Sequence, residues 1–337
     1  MDGKIRGVNL GGWLVLEKWM KPELFDGTEA ADETGFSKDM DHGLAARLKK
    51  HRDTFITEQD FAWIAQTGLN TVRLPVPWWM LGQQPPYVGC ANYVARAFSW
   101  AEKYHLQVML DLHCAPGCQN GFDNGGIAGV MEWHLHEENI TKTLEVLQQI
   151  CQFVKPFSAL ASIQLLNEPH WDIPIDIVKT FYQKGYDVVR RCFSPSQCAV
   201  VLHDSFRQDL WEGFLPEGEN VLMDAHFYQF QDEYKGCDYF RHADVTLKER
   251  RESLRLLTRD REAIVGEWSL GYPLEDVTRL DDYQKDLALR GFAANQLEVY
   301  EQNRGWVFWS YKVCDAMQPW SLRACVENGW LPKHFGA

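Results

Sequence analysis

Short apolar runs recur along the chain and alternate with longer stretches in which apolar residues return every three or four positions. A run of four to eight apolar residues between turn residues is typical of a strand that is buried on both faces. The pattern predicts eight such strands, over residues 5–10, 71–75, 107–113, 162–167, 199–203, 221–226, 263–267 and 305–309.

Most of the segments between these runs have the periodicity of helices. Thr57 is predicted to cap one helix, Asp60 places an acid in its first turn, and Gly68 ends it. Further helices are predicted over residues 91–104, 137–153, 174–193, 246–259 and 281–303. Strands that alternate with helices indicate parallel βα units.

Eight βα units predict an α/β fold, a single (β/α)8 TIM barrel, with one catalytic domain over residues 1–337 and its chemistry in the loops that follow the strands. The alternative is an open doubly wound sheet. It is disfavoured because no Gly-x-Gly-x-x-Gly follows the first strand. No composition shift marks a linker, and no repeat of solenoid period is found.

Composition and charge narrow the partners. A formal net charge of −13 argues against nucleic acid and anionic membranes as partners. No apolar run is long enough to span a bilayer. The nine cysteines are odd in number and form no disulfide framework, and no leader is seen, so we expect a reduced cytoplasmic protein, or a secreted one if a leader has been removed. The oligomeric state is not predicted.

Polar or aromatic side chains stand at the end of nearly every predicted strand. The carboxyl ends of barrel strands meet at one face, where the active sites of TIM barrels lie. A single such residue is commonly a satisfied core polar group, whereas the whole set predicts a functional site. The set comprises Asn9, Arg73, His113, Asn167 with Glu168, His203 with Asp204, His226 with Tyr228, Glu267 and Trp309.

Two members of this set, Glu168 and Glu267, each end an apolar run. Two carboxylates that face each other across a cleft are the machinery of glycoside hydrolysis, and retention of configuration needs them roughly 5–5.5 Å apart. We expect Arg73 to keep the nucleophilic carboxylate ionised, and a dry site to raise the pKa of the acid. The alternative is a pair of buried structural carboxylates, each beside a base.

At these residues the chain resembles glycoside hydrolase family 5, and most closely its exo-β-1,3-glucanase branch. The ordered set of motifs is specific and spans almost the whole chain. It comprises residues 7–17, Arg73-Leu-Pro, Asp111-Leu-His, residues 119–125, Leu166-Asn-Glu-Pro, His203-Asp, His226-Phe-Tyr, Gly266-Glu-Trp and residues 305–312.

The resemblance implies a retaining enzyme that hydrolyses terminal bonds of a β-glucoside or short β-glucan, without metal or other cofactor. It implies that Glu168 is the acid/base and Glu267 the nucleophile. Glu17 matches a carboxylate that contacts the terminal glucose, and Phe122 matches a phenylalanine that flanks the next subsite. The other matching substrate-binding positions are Arg73, His113, Asn167, His226, Tyr228 and Trp309.

The chain departs from this branch on the leaving-group side. Only residues 269–281 separate the strand of Glu267 from the next long helix, where the branch has a long insertion, and Phe230 precedes the expected position, which Gln231 occupies. These departures favour, as an alternative, a β-glucosidase for glucolipids or disaccharide-linked small molecules. A non-catalytic carbohydrate-binding barrel is a further alternative, although both glutamates are present.

Other motifs are weaker signals. His134-Leu-His136 could ligate a metal, but the stretch runs into a predicted helix N-terminus, where a solvated cap is expected. Cys114 and Cys118 lack the second pair that a zinc site needs, and residues 123–126 lack calcium-loop spacing. A metal-dependent hydrolase therefore has little support. Trp78, Trp79, Trp171 and Trp320 are either sugar platforms or loop packing.

Overall fold

Eight parallel strands close into a barrel in sequence order, with β8 paired to β1. The structure is a computed structural model that describes residues 3–39, 42–82, 84–216, 218–271 and 280–336. The strands are β1 Ile5–Asn9, β2 Thr71–Pro77, β3 Gln107–Cys114, β4 Leu160–Gln164, β5 Ala199–His203, β6 Val221–Phe227, β7 Ala263–Trp268 and β8 Gly305–Phe308. The predicted (β/α)8 barrel is confirmed, and the open sheet is wrong.

Helices occupy the segments between the strands. They are α1 Glu33–Lys38, α2 His42–Thr54, α3 Glu58–Gln66, α4 Ala91–Lys103, α5 Glu137–Val154, α6 Ile175–Cys192, α7 Tyr239–Asp244, α8 Arg251–Leu257, α9 Asp282–Tyr300 and α10 Leu322–Glu327. Short 3₁₀ turns cover Pro22–Phe25, Asp123–Gly125, Gln208–Leu210, Asp232–Tyr234 and Asp315–Trp320, and a π-helical turn covers Val245–Arg250. Each helix predicted from the periodicity is present within a few residues of its expected bounds.

The capping prediction at α3 is correct in its partners. The backbone N–H of Thr57 donates to Asp60 Oδ2 at 2.7 Å, which satisfies a donor that has no partner inside the helix. Asp60 in turn accepts a hydrogen bond from Tyr311 Oη at 2.9 Å and contacts Lys312 Nζ at 3.2 Å. The start of α3 is thereby tied to the loop that follows β8.

The helices α1, α2, α7 and α10 were not predicted. Three of them have only six residues, too few to show a period, and α2 carries Lys49 and Lys50 next to one another. The apolar face of α2 nevertheless packs Leu44 and Leu48 against Phe36, in a small core under the loop after β1. Strand β4 starts and ends earlier than expected, at Leu160 and Gln164, although the backbone N–H groups of Leu165 and Asn167 still donate to Val201 on β5 and Leu112 on β3.

The interior of the barrel is divided into an apolar bottom and a polar top. Seven buried apolar side chains fill the bottom: Ile5, Met109, Ala199, Val201, Leu222, Ile264 and Val307. Above this layer the inward positions of β2, β4 and β6 carry Arg73, Gln164 and Asp224, each fully buried. The polar layer has to satisfy its own hydrogen bonds, since water is excluded from it.

Two further features bear on the sequence analysis. All nine cysteines are free thiols, and the cytoplasmic location stays a prediction. Within the described ranges, no helix has both the length and the apolar character that crossing a membrane requires.

Candidate active site

Arg73, on β2, is the centre of the polar layer. Its guanidinium donates to Glu267 Oε1 at 2.8 Å, to Asn167 Oδ1 at 2.7 Å and to Gln164 Oε1 at 2.8 Å, and its Nη2 lies 3.1 Å from Asp111 Oδ2. The side chain is completely buried. A planar donor fork with this many fixed acceptors holds Glu267 and Asn167 in single orientations.

Glu267, near the end of β7, is held on both carboxylate oxygens. Oε1 accepts from Arg73, and Oε2 accepts from Tyr228 Oη at 2.7 Å. Burial raises the pKa of Glu267, the charges of His226 and Arg73 oppose that rise, and the net direction is upward. Arg73 therefore makes the expected contact, and its charge acts in the predicted direction, toward the ionised carboxylate.

Glu168 follows β4 and has a backbone φ of 44°, a left-handed conformation that is uncommon for a residue with a side chain. Its Oε1 lies 2.7 Å from His226 Nδ1, and its Oε2 accepts from Asn124 Nδ2 at 3.0 Å. Burial would raise the pKa of Glu168, but the hydrogen bond from His226 and its charge outweigh burial and lower that pKa. The pKa of the acid was predicted to be raised, and for Glu168 this prediction is wrong.

The two glutamates share one neighbour. His226 Nδ1 lies 2.7 Å from Glu168 Oε1 and 3.5 Å from Glu267 Oε2, so these two oxygens can be no farther apart than the sum of the two distances. Inverting glycosidases separate their carboxyl groups by roughly 6.5–9.5 Å to leave room for a water molecule. The closer spacing here fits direct attack by one carboxylate on the sugar.

His113 and Trp309 form one wall of the site. His113 Nδ1 lies 2.5 Å from Asp111 Oδ2, so the ring donates there and its Nε2 is left as an acceptor. The imidazole is parallel to the Trp309 indole, with 5.5 Å between ring centroids. A Cβ at Gly11 would lie 2.7 Å from the Trp309 ring, which explains the glycine after β1.

Glu17 places a further carboxylate near the pair. Its Oε2 accepts from Trp19 Nε1 at 2.9 Å, and its Oε1 has no hydrogen-bond partner among the described residues. Burial and the charge of Asp123 raise the pKa of Glu17 well above its ordinary value, and the charges of the two glutamates add to the rise. An unpartnered buried oxygen of this kind can accept a sugar hydroxyl.

The structure brings six of the predicted substrate-binding residues into one network with the glutamates: Arg73, His113, Asn167, His226, Tyr228 and Trp309. Glu17 is linked to it through Trp19, whose ring contacts Trp320 beside Tyr228. Phe122 lies apart, beside Trp171 and His170, with ring centroids 6.2 and 5.8 Å away. The loop of Phe122 reaches the pair through Asn124.

Sequence reasoning missed Asp224, Gln164 and Asn124. Asp224 is the only charged residue in the otherwise apolar run before His226, which was a usable signal. Gln164 is the inward polar position of β4. Asn124 lies in a motif that was assigned only through Phe122.

The tryptophans divide into packing and exposed residues. Trp79 is buried and stacks on Tyr87 with centroids 3.9 Å apart, so it packs the loop. Trp320 contacts Trp19 and Tyr228 at 5.3 Å each, at the edge of the site. Trp171 is 47% exposed, and its role as a platform stays a prediction.

One group in the described part of the chain, Glu168, His203 and His226, has ligand atoms close enough to hold a metal ion. The hydrogen bonds argue against that use. His203 Nδ1 accepts from the backbone N–H of Ser205 at 3.0 Å, so this neutral ring carries its proton on Nε2 and has a free lone pair on neither nitrogen. A protonated ring nitrogen cannot ligate, and the residues therefore fit a metal poorly.

Comparison with known proteins matches the sequence of this chain to one family model. The family model for cellulase (glycosyl hydrolase family 5) matches residues 31–315. A probable glucan 1,3-beta-glucosidase A of Emericella nidulans is 35% identical over 374 residues, covering 98% of this chain and 90% of that protein. A glucan 1,3-beta-glucosidase of Blumeria graminis is 35% identical over 382 residues, covering 98% and 87%.

Solved structures show the same fold at lower identity. The crystal structure of rutinosidase from Aspergillus niger aligns with a TM-score of 0.85 at 20% identity, covering 98% of both chains. XacCel5A in complex with cellopentaose aligns with a TM-score of 0.56 at 16% identity, covering 82% of this chain and 90% of that one.

Proposed function

The chain belongs to glycosyl hydrolase family 5, and from that premise we propose that it releases terminal glucose from β-glucosides with retention of configuration. The observation that carries this proposal is the pair of glutamates on His226 Nδ1, close enough for direct attack and each held by separate partners. The relatives named as glucan 1,3-beta-glucosidases support a β-1,3-linked glucan as one substrate.

In the first step, a carboxylate oxygen of Glu267 attacks the anomeric carbon while a proton from Glu168 reaches the leaving oxygen. The bond from the anomeric carbon to that oxygen breaks, and a covalent glycosyl-enzyme forms. The hydrogen bonds from Arg73 and Tyr228, one to each carboxylate oxygen, aim Glu267 at the anomeric carbon. Positioning of this kind lowers the entropic part of the barrier.

In the second step, water replaces the leaving group. Glu168 takes a proton from the water, the water oxygen bonds to the anomeric carbon, and the ester to Glu267 breaks. Two displacements at one carbon restore its original configuration. The hydrogen bond from Asn124 keeps Glu168 in place through both steps.

The terminal sugar is proposed to lie against Glu17, His113 and Trp309. The free Oε1 of Glu17 and the free Nε2 of His113 are hydrogen-bond acceptors for sugar hydroxyls. The indole of Trp309 offers an apolar face for the ring of the sugar. Acceptors that each need a hydroxyl discriminate strongly against a sugar that lacks one.

A second candidate function concerns the leaving group. Trp171 lies in edge contact with Phe206, with centroids 5.7 Å apart, and close to His170 at 3.8 Å and Phe122 at 6.2 Å. We call these four side chains the aromatic wall. Since His170 and Trp171 follow the acid/base within three residues, the wall lies on the leaving-group side. It favours β-glucosides with a flat, apolar leaving group as an alternative to glucans.

A panel of substrates tests both candidates. The wild type is assayed on laminari-oligosaccharides, gentiobiose, aryl β-glucosides, a disaccharide-linked flavonoid and a glucolipid, with Glu267→Gln as the inactive control. Release of single glucose units from laminari-oligosaccharides is the expected result. Turnover of the aryl glucosides, flavonoid glycoside or glucolipid alone would favour the second candidate, and release of no glucose from any member would overturn the proposal.

A further inference from the structure

Asp224, on β6, lies between the two halves of the catalytic machinery. Its Oδ2 lies 3.2 Å from His226 Nε2 and accepts from Gln164 Nε2 at 2.8 Å, and its Oδ1 accepts from the backbone N–H of Gly266 at 2.7 Å. Gly266 immediately precedes Glu267. One fully buried carboxylate therefore contacts the histidine of the acid/base and the strand of the nucleophile.

We propose that Asp224 is a positioning residue that makes Glu168 and His226 act as one acid, with the transferable proton held between them. This inference rests on the proposed hydrolysis of β-glucosides and extends it to the source of the proton. It assigns no new group that touches the substrate.

Proton counting carries the first step of the argument. Both nitrogens of His226 face carboxylate oxygens at hydrogen-bond distance, Nδ1 at Glu168 and Nε2 at Asp224. Each of these contacts needs one proton, and a carboxylate brings none. A neutral imidazole has a single N–H, so the chain of three groups holds one proton more than a neutral histidine supplies.

Asp224 decides where that extra proton rests. Its carboxylate orients Nε2–H and stabilises a positive charge on the ring, which leaves the second proton in the contact between Nδ1 and Glu168 Oε1. When the pair gives this proton to the leaving oxygen, Glu168 stays ionised and His226 becomes neutral. The lone pair of Nδ1 then faces the carboxylate, and the pair regains its proton from the water of the second step.

The hydrogen bond from the Gly266 N–H to Asp224 explains why residue 266 is a glycine. A Cβ at Gly266 would collide with the carboxylate of Asp224. Glycine at 266 lets the carboxylate reach the N–H of the residue before Glu267, so the bond orients the end of β7 as well as the histidine. The Asp224 side chain thereby contacts both the strand that carries the nucleophile and the histidine beside the acid/base.

The surrounding charges agree with a charged His226. The groups that face or act on the ring are Glu168, Asp204, Asp224 and Glu267, with Arg73 and the neutral His203 beside them. Burial would lower the pKa of His226, but the charges of Glu267 and Asp224 outweigh it and raise that pKa well above its ordinary value. Burial would raise the pKa of Asp224, whereas the charge of His226 and its hydrogen bond lower it.

The first test is Asp224→Asn, which keeps the shape and removes the charge. Its amide oxygen can still accept from Gly266, but its NH2 group faces Nε2, so His226 has to become neutral. We expect a loss of roughly 100-fold in kcat/KM on cellobiose-like or alkyl β-glucosides, and less than about fivefold on dinitrophenyl β-glucoside, which needs no acid. The basic limb of the pH profile should move to lower pH by about one unit, because the charge that retains the proton is gone.

The matched control is Asp111→Asn. Asp111 is equally buried in the same layer, lies against a histidine at 2.5 Å and contacts Arg73, but has no hydrogen bond to Glu168 or His226. Its change should slow both classes of substrate to a similar extent and leave the basic limb in place. Equal losses on both classes and an unmoved basic limb in Asp224→Asn would overturn the proposal and make Asp224 purely structural.

A second measurement tests the proposal even if Asp224→Asn does not fold. The ¹⁵N resonances of His226 in the wild type, assigned with His226→Gln, report the protonation of both ring nitrogens without any substrate. Both should be protonated at pH 7, and a neutral ring at pH 7 would overturn the inference. Failure of the wild type on every β-glucoside would refute the proposed function alone, since the protonation of His226 is read independently.

Discussion

The two sides of the active site are built from different interactions. The glucose side, with Arg73, His113 and Glu267, is buried and joined by hydrogen bonds of 2.5–2.8 Å. The aromatic wall, which we propose lies on the leaving-group side, is held by ring contacts, and its Trp171 is 47% exposed. Directed hydrogen bonds select one sugar, whereas aromatic faces accept many flat or apolar groups. The difference indicates strict recognition of the terminal sugar and tolerance of the leaving group.

The largest expected effect is the loss of the nucleophile. Glu267→Ala should reduce kcat on every β-glucoside by roughly 10⁴-fold or more, because no covalent intermediate can form and Arg73 loses its buried partner. The measurement is kcat on an aryl glucoside and on laminaribiose, with circular dichroism as a check on folding. A residual rate within tenfold of the wild type would contradict the assignment of Glu267.

The second largest effect is the loss of the acid/base, and it separates leaving groups that need a proton from those that do not. Glu168→Ala should lose roughly 10²–10⁴-fold on sugar or alkyl leaving groups, which need a proton, and far less on dinitrophenyl β-glucoside. Asn124→Ala, which removes a hydrogen bond to Glu168 and one from Asn120, is the milder companion variant. A Glu168→Ala enzyme equally impaired on both kinds of leaving group would count against acid catalysis by this residue.

A third effect concerns Glu33, which holds the segment that carries Glu17. Glu33 is buried, accepts from the backbone N–H of Leu16 at 2.8 Å next to Glu17, and lies 3.6 Å from Arg52. Burial raises the pKa of Glu33 to about 7, against the opposing charge of Arg52. A folded pKa above the unfolded one contributes stability that is complete below the unfolded value and is lost as pH rises through about 7.

The change Glu33→Gln should remove this pH dependence. From pH 5 to pH 8, the free energy of unfolding of Glu33→Gln should rise relative to that of the wild type, by an amount on the order of 3 kcal/mol at most. Urea unfolding at both pH values measures the gain. A constant difference between the two proteins would show that Glu33 does not titrate in this range.

The smallest expected effect is on the open side. Trp171→Ala should raise KM for aryl β-glucosides by about 3- to 10-fold, because the ring supplies stacking alone, and leave kcat on laminaribiose within about twofold. Phe240→Ala, at a 77% exposed aromatic on α7, is the matched control and should change neither. An unchanged KM in Trp171→Ala would remove the support for the aromatic wall and sharpen the case for a sugar leaving group.

The sequence predicted the strand-end residues and the fold, but not the short helices. The strand-end residues, from Arg73 on β2 to Glu267 on β7, were predictable because nearly every apolar run ends in a polar or aromatic residue, and the ends of parallel barrel strands meet at one face. The fold followed from eight such runs. The short helices α1, α7 and α10 were not predictable, since their six residues are held by tertiary contacts rather than by a repeating pattern.

The electrostatics were harder to predict than the positions. The expected rise in the pKa of Glu168 failed because His226 lies beside it, and the hydrogen bond and charge of that ring lower the pKa more than burial raises it. That outcome also depends on Asp224, which lies two residues before His226 on β6 and whose contact with the ring was not predicted. The ring contacts of Trp171 with Phe206 likewise join loops from two different strands.

The most direct test of the account is the anomer that forms first. Hydrolysis of an aryl β-glucoside is followed by ¹H NMR from the first minutes, before mutarotation mixes the products. Two displacements through Glu267 predict that β-glucose accumulates first and that the α anomer follows only by mutarotation. Initial formation of α-glucose would contradict the double displacement and with it the roles assigned to both glutamates.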